Sequence, residues 1–402
     1  MVRGNTSDML SLLDFKKSVT SDPNGALSSW NTSTPFCRWN GVMCSRKHPG
    51  RVTKLHLSGH GLSGPVSPSL SNLTLIKKIN LSSNALSGQL PPLNHLHKLE
   101  VLDLGNNSLH DTIPDALTNC SSLRILDLYR NLIFGEIPPQ ISNLTSVQKI
   151  SLSWNQPTGS IPDELGKLSN LSVLTLGENG LSGGIPQSLS NLSSLRILGL
   201  ELTVLGGALP PNFGNTLPRL QSLYLDSSRL HGYIPASLGN ASDLERINLA
   251  SNSFTGHIPS SFGSICNTSV NLETLNLGDN RLSGIVPPII GNFHGLVHLD
   301  LANNNLTGTI EEWVQKLRHL QYLNLQENNF IGPIPSSFGN ITNLEGLVLG
   351  ENAFNGHIPG SLGNLRQLVM LDLSYNDIDG DIPSNLGNYG QLQYLYLSNN
   401  KF

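Results

Sequence analysis

Residues 368–383 read Leu-Val-Met-Leu-Asp-Leu-Ser-Tyr-Asn-Asp-Ile-Asp-Gly-Asp-Ile-Pro, and close variants of this stretch recur along the chain of 402 residues. Most copies lie 24 residues apart, whereas the step after Gly207 is 25 and that after Gly256 is 28. Asp111 takes the glycine position in one copy. The recurring glycines are Gly64, Gly88, Gly135, Gly159, Gly183, Gly207, Gly232, Gly256, Gly284, Gly308, Gly332, Gly356 and Gly380. A period between about 20 and 50 residues predicts stacked repeats rather than independent domains.

The shared frame is Leu-x-x-Leu-x-Leu-x-x-Asn-x-Leu-x-Gly-x-Ile-Pro, which is the pattern of leucine-rich repeats. Leu-x-Leu alternation predicts a strand with one buried face, so successive repeats should stack their strands into a parallel sheet. The glycine and proline that follow favour extended chain or a short helical turn over a long helix. The predicted fold class is an α/β solenoid, a leucine-rich-repeat superhelix with a parallel concave β-sheet and a helix-poor convex face.

An asparagine follows most of the predicted strands, and its amide group can both donate and accept hydrogen bonds. Stacked copies can satisfy buried backbone groups where the chain turns away from the sheet. Thr203 and Ser228 replace it in two adjacent repeats, so a weakened ladder or a change of curvature is expected there. His60 replaces it in the first unit. The asparagines are Asn84, Asn107, Asn131, Asn155, Asn179, Asn252, Asn280, Asn304, Asn328, Asn352, Asn376 and Asn400.

The segment before the repeats has the features of a cap. Residues 8–19 show the apolar spacing of a helix, with Asp8 as the expected N-cap. Cys37 and Cys44 lie close together outside the repeats, which favours a disulfide in an oxidising compartment. We expect residues 1–50 to form an N-terminal capping domain and residues 51–402 to form the solenoid, truncated in its last repeat. Cys120 is expected to be a free buried thiol, whereas the state of Cys266 stays open.

The two ends of the chain lead to two further expectations. Residues 1–6 lack the apolar centre of a secretory signal, so either a signal has been removed or the gene model begins late. The final repeat stops directly after Asn400, which would leave leucines such as Leu395 and Leu397 facing solvent. We therefore expect the natural protein to continue.

Composition and motif content argue against several classes of function. Charged residues make up 13% of the chain, the net charge is −4 and no basic run occurs, which disfavours nucleic acid as a partner. No stretch approaches the roughly 18 apolar residues of a membrane-spanning helix. No cysteines or histidines have zinc-ligand spacing, and no cofactor is expected. Glu311 and Glu312 are adjacent carboxylates without a nucleophile, so a solvated edge is favoured over a catalytic pair and no enzyme is predicted.

Three motifs in the cap carry a family resemblance. Residues 12–16, 22–31 and 37–44 contain Leu-Leu-x-Phe-Lys, Asp-Pro-x-Gly-x-Leu-x-Ser-Trp-Asn and Cys-x-Trp-x-Gly-Val-x-Cys. Together with repeats of the Leu-Ser-Gly-x-Ile-Pro type, they make practically the whole chain resemble the ectodomains of plant leucine-rich-repeat receptor-like kinases. The resemblance is greatest to the large grass subfamily that includes immune receptors for bacterial molecules.

This resemblance implies a plant-type repeat, a position on the extracellular face of the plasma membrane, and ligand recognition in immune or developmental signalling. As a fragment, the chain would be secreted or apoplastic. A shorter leucine-rich-repeat co-receptor is an implied partner. The glycine-rich loop and the His-Arg-Asp motif of the family's Ser/Thr kinase are absent from these residues, so the resemblance assigns no kinase activity to them.

We place the binding surface on the concave sheet, because its outward residues form a continuous array while the leucines between them fill the core. A mixture of aromatic side chains and charges of both signs favours a peptide or protein ligand over a simple sugar or lipid. The predicted ligand-binding residues are Tyr129, Arg130, Trp154, Glu178, Glu201, Tyr224, Asp226 and Arg246. A second group, expected to contact a co-receptor or further repeats, comprises His298, Asp300, Tyr322, Glu327, Glu351, Tyr375, Tyr394 and Tyr396.

Glycosylation sequons are frequent, as expected for a secreted chain. The predicted acceptors are Asn31, Asn72, Asn119, Asn143, Asn170, Asn191, Asn240, Asn305 and Asn340. An alternative function is a secreted leucine-rich-repeat inhibitor of microbial cell-wall-degrading enzymes, since such inhibitors use the same plant repeat. A membrane helix and kinase after residue 402 would select the receptor, and a short closing cap would select the inhibitor.

Overall fold

A computed structural model describes residues 2–267 and 272–402. The chain forms two compact units, Met1–Leu205 and Gly206–Phe402, which we call unit 1 and unit 2. Each unit is a stack of repeats. A repeat adds one short strand to a main sheet, and most repeats add a second strand to another sheet before the chain makes a short turn. The predicted leucine-rich-repeat architecture, with parallel strands and little helix, is confirmed.

The main sheet carries the Leu-x-Leu alternation, and its strands pair in parallel register apart from the antiparallel first pair. Each repeat aligns with the next, as where Ile125, Leu126 and Asp127 face Lys149, Ile150 and Ser151. In unit 1 the strands are Val42–Cys44, Val52–His56, Lys78–Asn80, Val101–Asp103, Ile125–Asp127, Lys149–Ser151, Val173–Thr175 and Ile197–Gly199. In unit 2 they are Ser222–Tyr224, Arg246–Asn248, Thr274–Asn276, His298–Asp300, Tyr322–Asn324, Gly346–Val348, Met370–Asp372 and Tyr394–Tyr396.

Each unit has a second sheet of its own, formed by the part of the repeat that ends at the recurring glycine. In unit 1 its strands are Ser63–Pro65, Ala85–Gly88, Ser108–Asp111, Leu132–Glu136, Gln156–Ser160 and Gly180–Ser182. In unit 2 they are His231–Tyr233, Ser253–Gly256, Arg281–Ile285, Asn305–Gly308, Asn329–Pro333, Ala353–His357 and Asp377–Asp379. These strands also run parallel to their neighbours. The Gly-x-Ile-Pro segment therefore contributes an extended strand as well as the start of a turn.

The recurring glycine is required in the second sheet for two separate reasons. Gly256 and Gly284 have φ angles of 79° and 80°, in the left-handed region that side chains other than glycine rarely adopt. A Cβ at Gly256 would also lie 2.5 Å from the ring of Tyr233, and one at Gly284 would lie 2.3 Å from Nδ1 of His257. The residue after each glycine thus packs over the glycine of the following repeat. Any larger residue would both strain the backbone and displace its neighbour.

Short turns connect the second-sheet strands back to the main sheet. Most are five-residue 3₁₀ turns, and the longer α-helix Val2–Ser18 belongs to the cap. Two four-residue α-helices, Phe213–Thr216 and Glu311–Val314, take the place of a 3₁₀ turn. The 3₁₀ turns are Phe36–Arg38, Pro68–Asn72, Asp115–Asn119, Pro139–Asn143, Asp163–Lys167, Gln187–Asn191, Ala236–Asn240, Ser260–Asn267, Pro288–Asn292, Ser336–Asn340, Gly360–Asn364 and Ser384–Asn388. Within the described residues, no helix combines the length and apolar character needed to span a bilayer.

Leucines of the frame form the core of each unit. Leu126 and Leu128 in unit 1, and Leu299 and Leu301 in unit 2, are wholly inaccessible to solvent. Burying a leucine side chain contributes roughly 1.5 to 3 kcal/mol, and a single short strand carries too few leucines to fold alone. The repeats are stable because each one covers the apolar surface of the next.

The predicted asparagine ladder is confirmed. Nδ2 of Asn304 donates to the carbonyls of Leu277 and Leu301 at 3.0 and 3.2 Å, and its Oδ1 accepts from the backbone nitrogen of Leu282 at 2.9 Å. Each amide therefore links its own repeat to the one before it. At two of the exceptions a hydroxyl takes the place of the amide: Thr203 donates to the carbonyl of Leu200 at 2.9 Å, and Ser228 donates to the carbonyl of Asp226 at 3.0 Å.

The cap contains the predicted Cys37–Cys44 disulfide. The expectation that Asp8 caps a helix is wrong, because the helix Val2–Ser18 begins earlier and encloses it. The buried Asp8 carboxylate instead accepts from Nε of Arg51 at 3.1 Å and from the backbone nitrogen of Val52 at 2.8 Å. Asp8 therefore joins the cap to the first parallel strand of the solenoid.

The other two cysteines are Cys120, in the core of unit 1, and Cys266. Cys120 is free and fully buried, as predicted, and its Sγ donates to the carbonyl of Leu93 at 3.3 Å. Burial raises the pKa of this thiol to about 11, so it stays protonated at neutral pH. The side chain of Cys266 lies outside the described part of the chain.

Candidate functional site

The outward positions of the main-sheet face fall into four columns that repeat along each unit. Column 1 is the first residue of a strand and column 2 the last; column 3 follows the next leucine, and column 4 immediately precedes the ladder asparagine. The predicted ligand-binding residues occupy all four, with Arg246 in column 1, Tyr224 in column 2, Tyr129, Glu201 and Asp226 in column 3, and Arg130, Trp154 and Glu178 in column 4. Sequence reasoning treated all eight as strand positions, whereas six of them lie just beyond a strand end.

In unit 1 the predicted residues form an exposed patch on neighbouring repeats. Tyr129 and Trp154 are 39% and 51% exposed, and Arg130 lies beside them. The backbone nitrogen of Arg130 donates to the carbonyl of Ser153 at 2.9 Å, which fixes one repeat against the next. Parallel strands lie about 4.8 Å apart, so side chains on adjacent repeats can contact one ligand.

Column 4 has an unusual backbone that sequence reasoning did not anticipate. Arg130, Trp154 and Glu178 have φ angles of 51°, 59° and 55°, in the left-handed region. The same conformation recurs before each ladder asparagine, as at Asp279 and Glu327 in unit 2. This conformation turns the chain away from the sheet. It presents the column 4 side chains in a repeating, fixed direction.

Glu201 is less available to a ligand than the sequence suggested. Its carboxylate lies over two glycines, so that a Cβ at Gly177 would be 2.5 Å from Oε1 and one at Gly199 would be 2.9 Å from Oε2. The side chain is half-buried in the space that these glycines leave. Glu201 therefore forms part of the surface beside the aromatic patch rather than a projecting anchor.

Arg246 in unit 2 is already engaged within the protein. Its Nη1 lies 3.3 Å from a carboxylate oxygen of Glu245, and its Nη2 forms a short ion pair with Glu273. Exposed ion pairs of this kind stabilise a protein by about 0 to 1 kcal/mol. A ligand carboxylate would have to compete with both glutamates for the guanidinium group.

Unit 2 contains a hollow of about 400 Å³ on its main-sheet face. Three small column 3 residues, Ala250, Gly278 and Ala302, follow one another between the polar side chains of columns 2 and 4. The remaining lining residues are Asp226, Asn248, Ser251, Asn276, Asp279, Asp300, Asn303, Asn324, Gln326 and Glu327. Sequence reasoning found Asp226 and, in the second group, Asp300 and Glu327, but missed the asparagines. The run of Ala, Gly and Ala at one repeat position was the signal that could have located the hollow.

The carboxylates of this hollow are held by amide and backbone donors. Nδ2 of Asn248 donates to Asp226 at 2.8 Å, and the backbone nitrogen of Ala302 donates to Asp300 at 3.0 Å. Burial raises the pKa of both Asp226 and Asp300, although the backbone nitrogen of Asp226 and, for Asp300, the Ala302 donor act in the opposite direction. The arrangement can accept hydrogen bonds from a ligand, and it favours cationic or amide groups over anions.

No group of three or more His, Cys, Asp or Glu side chains in residues 2–267 and 272–402 is placed to hold a metal ion. Glu311 and Glu312 form the exposed first turn of the helix Glu311–Val314.

The predicted glycosylation acceptors are all exposed, and most of them share one place in the repeat. Six are the last residue of a 3₁₀ turn, namely Asn72, Asn119, Asn143, Asn191, Asn240 and Asn340. Asn31, Asn170 and Asn305 lie elsewhere. Their occupancy stays a prediction.

Comparison with known proteins covers both the cap and the repeats. The profile described as "Leucine rich repeat N-terminal domain" matches residues 5–45. Profiles described as "Leucine rich repeat" match residues 270–330, 335–378, 98–120, 122–144, 170–192 and 243–265. Together these matches cover the cap and segments of both units.

Two curated relatives from plants are receptor kinases by name. The chain is 42% identical over 88 residues to the LRR receptor-like serine/threonine-protein kinase EFR of Arabidopsis thaliana, which is 22% of this chain and 8% of that protein. It is 45% identical over 86 residues to the receptor kinase-like protein Xa21 of Oryza sativa subsp. japonica, which is 20% of this chain and 8% of that protein. The aligned segments thus span a small part of each relative.

A solved structure of similar fold extends the likeness over most of the chain. It is the plant peptide hormone receptor RGFR1 in complex with RGF2, with 30% sequence identity and a TM-score of 0.69. The alignment covers 90% of this chain and 68% of that one.

Proposed function

The chain belongs to the ectodomain family of plant leucine-rich-repeat receptor kinases, and from that premise we propose that it recognises a peptide or protein ligand through its main-sheet face. We propose further that it acts at the extracellular face of the plasma membrane, in immune or developmental signalling, as the recognition part of a receptor whose kinase is a separate domain. A shorter leucine-rich-repeat co-receptor is the proposed second partner.

The observation that carries the proposal is the exposed patch of Tyr129, Arg130 and Trp154 in unit 1. Both aromatic side chains are large and exposed to solvent, and they lie on neighbouring repeats of the main-sheet face. Aromatic residues and arginine dominate many protein interfaces, and truncation of an anchor typically costs about 2 kcal/mol or more. The structure offers these side chains on a backbone that is already ordered, which lowers the entropic cost of binding.

The hollow of unit 2 supports the same proposal by different chemistry. Its carboxylates and amides suit the backbone and basic side chains of a peptide, and its floor of small residues leaves room for them. Lipids would find little apolar surface there. We therefore propose that unit 1 contributes aromatic anchoring and unit 2 contributes polar recognition.

The test is binding of a library of secreted plant peptides to the purified chain, followed by titration of the hits against variants. Tyr129→Ala, Arg130→Ala and Trp154→Ala should each weaken binding by at least about tenfold, equivalent to roughly 1.4 kcal/mol. Phe134→Ala is the matched control, because Phe134 is 46% exposed in the same unit but lies on the second sheet. Unchanged affinity in all three variants with intact folding, or loss of binding in the control alone, would move the site off this patch.

A further inference from the structure

Unit 2 contains a second hollow, of about 460 Å³, which lies on its turns rather than on the main-sheet face. It is lined by His294, Gln315, Lys316, Arg318 and His319. Within the described residues, the side chains of Lys316 and Arg318 take part in no ion pair, although each can donate several hydrogen bonds. Two basic side chains and two imidazoles thus line one cavity, and none of the four is paired with a carboxylate in the part of the chain that the structure describes.

The backbone beneath this hollow is firmly packed. Trp313 is 1% exposed and Val314 is fully buried, so the short helix Glu311–Val314 is anchored in the core. A Cβ at Gly291 would lie 2.6 Å from the carbonyl oxygen of Trp313 and 3.1 Å from Cδ of Lys316. The aliphatic part of Lys316 therefore lies against the preceding turn. This packing of the aliphatic part helps to orient the ammonium group of Lys316, which stays in solvent.

The residues that line the hollow lie at repeat positions that carry glycosylation sequons in other repeats of unit 2. In unit 2, Asn340-Ile341-Thr342 is a glycosylation sequon whose middle residue is buried, and Asn240-Ala241-Ser242 is another. In two consecutive repeats between these, the equivalent triplets are residues 292–294, Asn-Phe-His, and residues 316–318, Lys-Leu-Arg. The residue that would complete a sequon is His294 in one and Arg318 in the other. Neither triplet is a glycosylation sequon, and each ends in a basic residue that faces the hollow.

The chemistry of the lining indicates the class of ligand. Arginine and lysine bind carboxylates and sulfates through charge-assisted hydrogen bonds. None of the large apolar side chains that are exposed in the described chain lies between residues 286 and 330. Protein interfaces usually have an apolar or aromatic centre with few charged residues, which this surface lacks. A hydrophilic polyanion fits the lining better than the face of a folded protein.

We propose that the hollow formed by His294, Gln315, Lys316, Arg318 and His319 is a binding site for an acidic oligosaccharide, with carboxylates on successive sugars. Lys316 and Arg318 bind the carboxylates, and Gln315 and the imidazoles offer hydrogen bonds to hydroxyl groups. The site is separate from the peptide surface on the main sheet and does not depend on it. It gives the protein a second ligand class.

The primary test is binding of a galacturonic-acid decamer to the full chain, measured by biolayer interferometry at low and high salt. We expect saturable binding that weakens as salt is raised, no binding of a neutral galactose decamer, and weaker binding of a poly-glutamate peptide of equal charge. Lys316→Gln combined with Arg318→Gln should weaken binding at least about tenfold. Lys167→Gln, at the position of unit 1 equivalent to Lys316, should leave it unchanged.

A second variant blocks the hollow without removing Lys316 or Arg318. His294→Thr converts residues 292–294 into a sequon, and expression in a secretory host should place a glycan on Asn292 that abolishes binding. Asn292→Gln together with His294→Thr carries no acceptor and should retain most of the affinity. Thermal unfolding checks that each variant is folded. The proposal is overturned by no uronate binding, by equal binding of poly-glutamate, or by binding that survives both the charge removal and the glycan.

Discussion

The main-sheet faces of unit 1 and unit 2 have the same backbone plan but different surfaces. Unit 1 places Tyr129 in column 3 and Trp154 in column 4, where both project into solvent. Unit 2 places Ala250, Gly278 and Ala302 in column 3, and the absence of large side chains there leaves a polar hollow. The strand register and the asparagine ladder are alike in both. The two units therefore share the frame that stabilises them and differ in a few columns of outward side chains, where we propose that recognition takes place.

The largest expected effect tests whether the frame is equally important in both units. Leu126→Ala in unit 1 and Leu299→Ala in unit 2 each remove a fully buried side chain, and each should lower the free energy of unfolding by about 2 to 5 kcal/mol. Urea denaturation followed by circular dichroism measures this. Leu132→Ala is the control, since Leu132 is 47% exposed and should change stability by about 0.5 kcal/mol or less. If only one of the two variants lost this much free energy of unfolding, the leucine frames of the two units would not be equally important for stability.

The asparagine ladder should give a smaller loss, again in both units. Asn131→Ala leaves the carbonyls of Leu104 and Leu128 without their amide donor, and Asn304→Ala does the same in unit 2. Each should cost about 1 to 3 kcal/mol, because buried backbone groups lose their partners. Asn329→Ala, an exposed asparagine of a second-sheet strand, should be nearly neutral in the same denaturation experiment. Equal losses in all three variants would argue against a special role for the ladder.

The polar hollow should show a pH dependence that an aromatic surface cannot. Burial raises the pKa of Asp300 in the folded protein, so its contribution to stability is present below the pKa of the unfolded chain and is lost as the pH rises through the folded pKa. Asp300→Asn should therefore be more favourable to stability, relative to wild type, at pH 7 than at pH 3. Asn276→Ala, a change at the equivalent position that does not titrate, should alter stability equally at both pH values. A reversed sign for Asp300→Asn would contradict the effect of burial.

The smallest expected effect comes from transferring one surface to the other. Ala302→Tyr places in unit 2 the side chain that column 3 carries at Tyr129 in unit 1. If the columns are independent of the frame, the melting temperature should stay close to that of wild type, with a change of about 0.5 kcal/mol or less. The hollow would be filled without disturbing the core. A loss above about 2 kcal/mol would mean that column 3 is not interchangeable between the units.

Much of the fold was predictable because it repeats. The Leu-x-Leu alternation followed by asparagine indicates a strand of a leucine-rich repeat, and because the pattern occurs many times, a few atypical repeats do not obscure it. The disulfide was predictable because Cys37 and Cys44 lie close together outside the repeats. The role of Asp8 was not predictable, because its partners Arg51 and Val52 lie more than 40 residues away in the sequence. The helical pattern alone indicated a helix N-cap at this residue. Local patterns do not reveal a partner at such a distance along the chain.

The surface was less predictable than the fold for a physical reason. The outward positions are not under the packing constraints that fix the leucines, so sequence shows which residues face outward but not how far each projects. Glu201 lies across two glycines, and Arg246 is paired with Glu245 and Glu273. Both features depend on side-chain contacts between neighbouring repeats. The hollow at Gly278 likewise depends on the small side chains of Ala250 and Ala302 in the neighbouring repeats.

The repeat that follows Gly256 carries four more residues than the usual 24, yet its strands remain in step. Arg246, Ile247 and Asn248 still pair with Thr274, Leu275 and Asn276, while the turn Ser260–Asn267 is eight residues long instead of five. The longer turn thus takes up most of the added length, and the strand register of the main sheet is unaffected. Changes of length in the turns are therefore structurally separate from the strand pairing. A longer turn can enlarge the surface along one edge of the protein while the hydrogen-bonded register on which folding depends stays the same.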